Sequence, residues 1–181
     1  MLQTKRIMAA TAASAVLALL AGCSEEKAEA VPELPKRFCW GAFTPKEVSA
    51  LLPAGKAATH RFDPFGFAER TRQVSCNVYI DGNHGFSAVA RFEDEKELID
   101  WSSWDPAKPD PINMGTKGIV WNNGAATYFP CTPTANASPS QGKYLELRVD
   151  VFVSRKEDER DTLSKVLEKF MTFAQKELKC T

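Results

Sequence analysis

Residues 143–153 alternate without a break: Leu145, Leu147, Val149, Val151 and Val153 fall on one side, and Tyr144, Glu146, Arg148, Asp150 and Phe152 on the other. A period of two over this length predicts a β-strand with one buried face. A long amphipathic stretch follows. Across roughly residues 157–178, Leu163, Val166, Leu167, Phe170, Phe173, Ala174 and Leu178 recur at i, i+3, i+4 and i+7, which gathers them on one stripe of a helix. A half-buried strand and a one-sided helix must each cover an apolar face, so the C-terminal part demands a helix laid on a sheet.

Upstream segments supply the rest of that sheet. Val74, Cys76, Val78 and Ile80 share one side of residues 72–81, and Phe86, Ala88, Ala90 and Phe92 repeat the period after Asp81-Gly82-Asn83-His84-Gly85. This reads as a β-hairpin with a five-residue connection and His84 in its turn. Residues 118–121 and 125–129 flank Asn122-Asn123-Gly124 and form a second hairpin, ended by Pro130-Cys131. Thr44-Pro45-Lys46-Glu47 reads as a helix start: Thr as N-cap, Pro in the first turn and Glu closing a capping box. Val48, Leu51 and Leu52 then share a face before Pro53 and Gly55. Residues 93–104, with Leu98, Ile99 and Trp101, are expected as a short helix, and the proline-rich residues 105–111 as a loop. Residues 132–142 read as a polar surface loop. The predicted fold is α+β: an antiparallel sheet of about five strands packed by two amphipathic helices plus a short helix.

The N-terminus sets the compartment. Lys5 and Arg6 precede the uncharged residues 7–20, and Leu20-Ala21-Gly22-Cys23 follows. A positive start, an apolar run too short to span a bilayer and small residues before a cut describe a secretory signal peptide. The Leu-Ala-Gly-Cys ending resembles the lipobox of bacterial lipoproteins, which implies acylation (palmitate or a related chain) of the Cys23 thiol and cleavage before it. Burial of about 0.8 kcal/mol per CH₂ makes two or three acyl chains a stable anchor. The expected organisation is a leader over 1–22, a lipidated cysteine and flexible tether over 23–37, and one globular domain over 38–181. The expected location is the extracytoplasmic face of the cell membrane.

Outside the cytoplasm, cysteines pair. With Cys23 given to lipid, Cys39, Cys76, Cys131 and Cys180 remain. They read as two structural disulfides, and three connectivities are open. The absence of Cys-x-x-Cys argues against a thioredoxin-like site, and the wide spacings against zinc. Removing 22 of 181 residues leaves 159, enough for one domain. Losing Lys5 and Arg6 from 23 basic residues leaves 21 against 23 acidic ones, a net charge of about −2. That balance argues against nucleic acid as a partner.

Catalytic signatures are weak. Only His60 and His84 are present, and neither lies at metal-ligand spacing from other donors. No Gly-x-Ser-x-Gly elbow occurs. The acidic runs Glu93, Asp94, Glu95, Glu97 and Glu157, Asp158, Glu159, Asp161 read as solvated helix starts. Aromatics are the remaining signal. Phe65 and Phe67 lie in a turn-prone segment, and Trp101 and Trp104 flank the proline-rich loop. Gathered around one concavity they would form an apolar binding surface; otherwise they plug the edges of a small domain.

Taken with the lipobox, Phe38-Cys39-Trp40 before Thr44-Pro45-Lys46-Glu47-Val48-Ser49-Ala50-Leu51-Leu52, Ser75-Cys76-Asn77-Val78-Tyr79, Cys131 and the final helix ending in Cys180 resemble small actinobacterial cell-envelope lipoproteins of unassigned function. Residues 100–121 carry a pattern similar to a Streptomyces-type subgroup. More distantly, the chain is similar to lipoproteins and sensor domains with a PsbP-like α/β/α sandwich. The resemblance implies an exported fold with paired cysteines that binds partners or ligands. Cys39–Cys76 and Cys131–Cys180 are the expected pairs, each tying a helix terminus to the sheet. The expected function is a non-enzymatic binding or accessory module for a cell-envelope protein or small apolar ligand, needing no cofactor. The alternative is an envelope hydrolase acting on glycan or lipid.

Overall fold

The computed structural model describes residues 30–68, 70–132, 142–152 and 159–180. Seven strands form one antiparallel sheet: β1 (Ala58–Phe62), β2 (Gln73–Ile80), β3 (Asn83–Glu93), β4 (Asp110–Ile112), β5 (Lys117–Trp121), β6 (Gly124–Pro130) and β7 (Tyr144–Val151). Their spatial order is β1-β2-β3-β7-β6-β5-β4. The most regular alternation in the sequence thus becomes the central strand, with β3 on one side and β6 on the other. A central strand touches neighbours along both edges, so its apolar face is the one most completely buried.

One face of the sheet is covered by α2 (Arg160–Leu178) and the short α1 (Pro45–Ser49). Register puts Cys76, Ala88, Val149 and Ala125 in one row of this face, and Ala90, Leu147 and Thr127 in the next. Against them α2 presents Leu163, Val166, Leu167, Phe170 and Ala174, all buried. Phe38, Phe86, Phe92 and Phe170 fill the layer and are fully buried; each contributes about 1.5–3 kcal/mol of apolar transfer. The α1 capping box is formed: Thr44 N–H donates to Glu47 Oε2 at 2.8 Å, and Glu47 N–H to Thr44 Oγ1 at 3.4 Å. The disulfides are Cys39–Cys76 and Cys131–Cys180. The first ties a turn before α1 to β2, and the second ties the end of α2 to the chain just after β6.

The α+β class holds, and the element count is corrected. The sheet has seven strands, not about five, because β1 and β4 carry no apolar alternation. Both lie at sheet edges, where β1 is largely exposed and β4 is three residues long. Asp110 and Pro111, expected as loop, belong to β4, where an edge strand tolerates a residue without an N–H. Among the described residues there is one long helix. The first helix stops after five residues, and Leu51 and Leu52 are buried in the turn beyond it. The short helix expected over 93–104 is replaced by the end of β3 and two 3-10 turns, Lys96–Leu98 and Ser102–Ala107. Leu34 is buried and Ala30 O accepts from Gly55 N–H, so packed chain begins inside the segment expected as tether. Cys23, the leader, residues 133–141 of the polar loop, Val153, Glu157 and Asp158 lie outside the described residues.

His84 is not in a turn. The β2–β3 connection is the two-residue turn Asp81-Gly82, both with left-handed φ (50° and 82°), as a tight hairpin requires. Asp81 is held there by N–H bonds from Lys56 and Ala57 to its carboxylate. A bulge between Val78 and Tyr79 then sets His84 opposite Tyr79 within the sheet.

Candidate functional site

The sheet separates the four aromatics singled out from the sequence. Phe65 and Phe67 pack on the helix side: Phe65 lies 5.0 Å from Trp40 and 4.9 Å from Phe173, and Phe67 lies edge-on to Phe92 at 4.9 Å. Trp101 and Trp104 lie on the opposite face, against Ile119, Trp121 and Ala126. All four are half-buried, and the two pairs share no concavity.

The face opposite the helices is assembled from the other alternates of the same strands. Across it, register aligns Arg61, Asn77, Ser87, Asp150 and Gly124 in one row, then Ser75, Val89, Arg148 and Ala126, then Arg91, Glu146 and Tyr128. A hydrogen-bonded chain runs through the first strands. Asp63 Oδ2 accepts from Ser75 N–H (2.9 Å) and Oγ–H (3.1 Å), and Asn77 Nδ2 donates to Ser75 Oγ at 3.3 Å. Ser87 Oγ donates to Asn77 Oδ1 at 3.0 Å, and His84 Nε2 meets the same oxygen at 3.1 Å. Ser87 and His84 therefore converge on an amide oxygen, not on each other.

Charged pairs occupy the centre. Arg91 bridges Glu93 and Glu146, with Nε 2.9 Å from Glu93 Oε1 and Nη2 2.8 Å from Glu146 Oε2. Arg148 Nε lies 2.8 Å from Asp150 Oδ2. Burial raises the Asp150 carboxyl above its ordinary value, against the opposing pull of the Arg148 guanidinium. Burial lowers His84, whose ring stacks on Phe152 at 3.9 Å and Tyr79 at 5.1 Å, while Asp150 and a backbone hydrogen bond to Phe86 act in the other direction. The acidic run at 93–97 is no helix start: Glu93 is paired with Arg91 and Asp94 with Arg72.

Aromatic rings border these charges along one side. Trp121 stacks on Trp104 with centroids 5.5 Å apart; Trp104 lies 5.2 Å from Trp101, Trp101 5.6 Å from Tyr128, and Tyr128 6.1 Å from Tyr144. Lys117 Nζ stands 4.7 Å from the centre of the Trp101 ring. Trp104, Trp101 and Tyr144 are half-buried, Trp121 and Tyr128 nearly covered. The result is an aromatic ridge beside a polar floor on the sheet face opposite the helices. A planar hydrogen-bonding surface next to apolar rings can hold an amphiphilic solute in a fixed orientation.

Two depressions lie away from the ridge. A groove of about 320 Å³ between α1 and α2 is lined by Lys46, Ala50, Lys165 and Val166 among others, and a hollow of about 290 Å³ by Thr59, Arg61, Tyr79 and Gly82. Among the described residues no group of three or more His, Cys, Asp or Glu side chains could hold a metal ion, and no helix is long and apolar enough to cross a membrane.

The sequence reading missed the floor because Glu146, Arg148 and Asp150 look like the solvated side of an ordinary strand. One signal was present: polar alternates recur on β2, β3 and β7 together, as Ser75 and Asn77, Ser87 and Arg91, and the β7 triplet.

No family model, curated protein or solved structure matches this chain.

Proposed function

We propose that this chain is an extracytoplasmic lipoprotein, anchored through Cys23, whose domain is a non-enzymatic binding or accessory module for a component of the bacterial cell envelope. The resemblance to actinobacterial envelope lipoproteins and the lipobox support the compartment. The observation that carries the binding role is the aromatic ridge beside the paired charges on the open sheet face. It also shifts weight within the reading. The layer between sheet and α2 is filled by Phe38, Phe86, Phe92 and Phe170, so recognition belongs on the outer surface and not around an apolar ligand in the core. The hydrolase alternative gains nothing from Ser87 and His84, whose shared partner Asn77 leaves them without a nucleophile–base contact.

The test is retention on the envelope. The full chain, produced in an actinobacterial host fed labelled palmitate, should carry label and sediment with membranes, and Cys23→Ala should lose both. Cys23→Ala protein should still bind purified cell envelopes, and Trp101→Ala/Trp104→Ala should release it. An unlabelled wild-type chain would overturn the anchor, and envelope binding indifferent to both tryptophans would overturn the binding surface.

A further inference from the structure

We infer that the open sheet face takes a single, uncharged glycan chain, laid along the aromatic ridge with its hydroxyls toward the Arg91–Glu146 and Arg148–Asp150 pairs. This inference rests on the binding-module reading and names the class of ligand that the module holds.

Three features of the face carry it. The first is the alternation of ring and ion pair. Tyr128 and Tyr144 stand directly beside Glu146 and Glu93 through the register of β6 with β7 and of β7 with β3. Asp150 stands beside Gly124, whose missing side chain leaves room for the Trp121 ring. A pyranose has one apolar C–H face and a rim of hydroxyls, and it needs those two chemistries side by side. Rings take the C–H face by dispersion, while carboxylate and guanidinium oxygens and nitrogens take the rim as acceptors and forked donors.

The second is charge balance. Arg91 is paired with Glu93 and Glu146, and Arg148 with Asp150. An acidic polymer would meet the three carboxylates, and a basic peptide the two guanidinium groups with Arg61 and the Lys117 ammonium over Trp101, so neither finds a field of one sign. A neutral polyol meets hydrogen-bonding groups of both signs side by side. A lipid tail would require an enclosed apolar slot, whereas Glu146 and Ser87 form the floor here.

The third is access. Trp101, Trp104 and Tyr144 are half-buried while Trp121 and Tyr128 are nearly covered. Three partly exposed rings give room for one chain and not for the flat face of a crystalline polysaccharide.

The experiment uses the full chain in mild detergent on an array of neutral and acidic oligosaccharides of bacterial and other origin, followed by titration of the best neutral hit with tryptophan fluorescence as readout. Binding should be confined to neutral glycans and change little between low and 0.5 M salt, roughly as expected for uncharged recognition. Trp104→Ala and, separately, Tyr144→Ala should weaken it about tenfold, the usual effect of truncating a central interfacial ring. Lys165→Ala, on the helix side, should leave it unchanged. Thermal melts of each variant establish that it is folded. Binding only to acidic glycans, or binding equal in folded Trp104→Ala and wild type, overturns the inference. An array without hits, from protein whose envelope retention still depends on Trp104, overturns the glycan and leaves the binding module standing. An array without hits and retention independent of Trp104 overturns both.

Discussion

Trp121 and Gly124 bracket the Asn122-Asn123 turn as the last pair of the β5–β6 hairpin, and the indole lies where any side chain at 124 would project. Gly124→Ala must push Trp121 out from under Trp104. The expected cost is about 1–3 kcal/mol, read as a lower urea midpoint together with altered tryptophan fluorescence; an unchanged spectrum would mean that the stack tolerates displacement. His84 makes a prediction in pH. Its folded pKa lies below the ordinary 6.5 because burial disfavours the imidazolium, so on acidification the unfolded chain takes the proton first. Stability is therefore retained above the unfolded value and lost as pH falls through about 6.5. Asp150, raised above its ordinary 3.8, works the opposite way: its contribution is complete at low pH and declines as pH rises through its folded value. The urea midpoint of wild type should drop more between pH 7.5 and 5.5 than that of His84→Gln. Equal drops would assign the acid sensitivity elsewhere.

At the scale of elements, the single sheet and its helical layer are fastened by covalent bonds. Cys131–Cys180 holds the C-terminal end of α2 after Lys179 takes a left-handed φ of 50°. Arg160 secures the other end by hydrogen bonds to Asn122 Oδ1 and to the Asp110 carboxylate. Replacing Cys131 and Cys180 together by Ala should cost about 2–5 kcal/mol and, in hydrogen exchange, should loosen the last turns of α2 before its middle. Uniform loss of protection would show that the helix docks as one cooperative unit. Elements were legible wherever their side chains follow the period that burial imposes. β2, β3, β5, β6 and β7 are such strands, and the stripe of Leu163 through Phe170 marks α2. β1 was hidden because its pattern is set by lying at an edge, with Arg61 and Phe62 exposed. β4 was hidden because Pro111 reads locally as a break, and only pairing of Ile112 with Gly118 makes it a strand.

On the scale of the whole molecule, one sheet presents two surfaces with separate work. The helix side is saturated by apolar packing, and the open side carries the ridge and the charged floor. Variants on the two sides should act independently. Phe170→Ala should cost about 3–5 kcal/mol in stability while the folded fraction still binds envelopes. Trp104→Ala should do the reverse, and the double variant should show additive stability effects within about 0.5 kcal/mol, as for sites without shared partners. Strong coupling would mean that the faces communicate through the sheet.

Cysteine count and local periodicity by themselves determined the α+β class, the strand that is β7, the long helix and the four cysteines that form disulfides. Those features arise from interactions near in sequence, or from a burial pattern that every strand and helix must obey alone. Which side of the sheet would hold Phe65 and which Trp101, and that Asn77, Ser87, Glu146 and Arg148 would meet on one floor, was decided only by tertiary structure. Strand order and register bring together residues as far apart as Arg91 and Glu146, and no local period encodes which strand becomes whose neighbour.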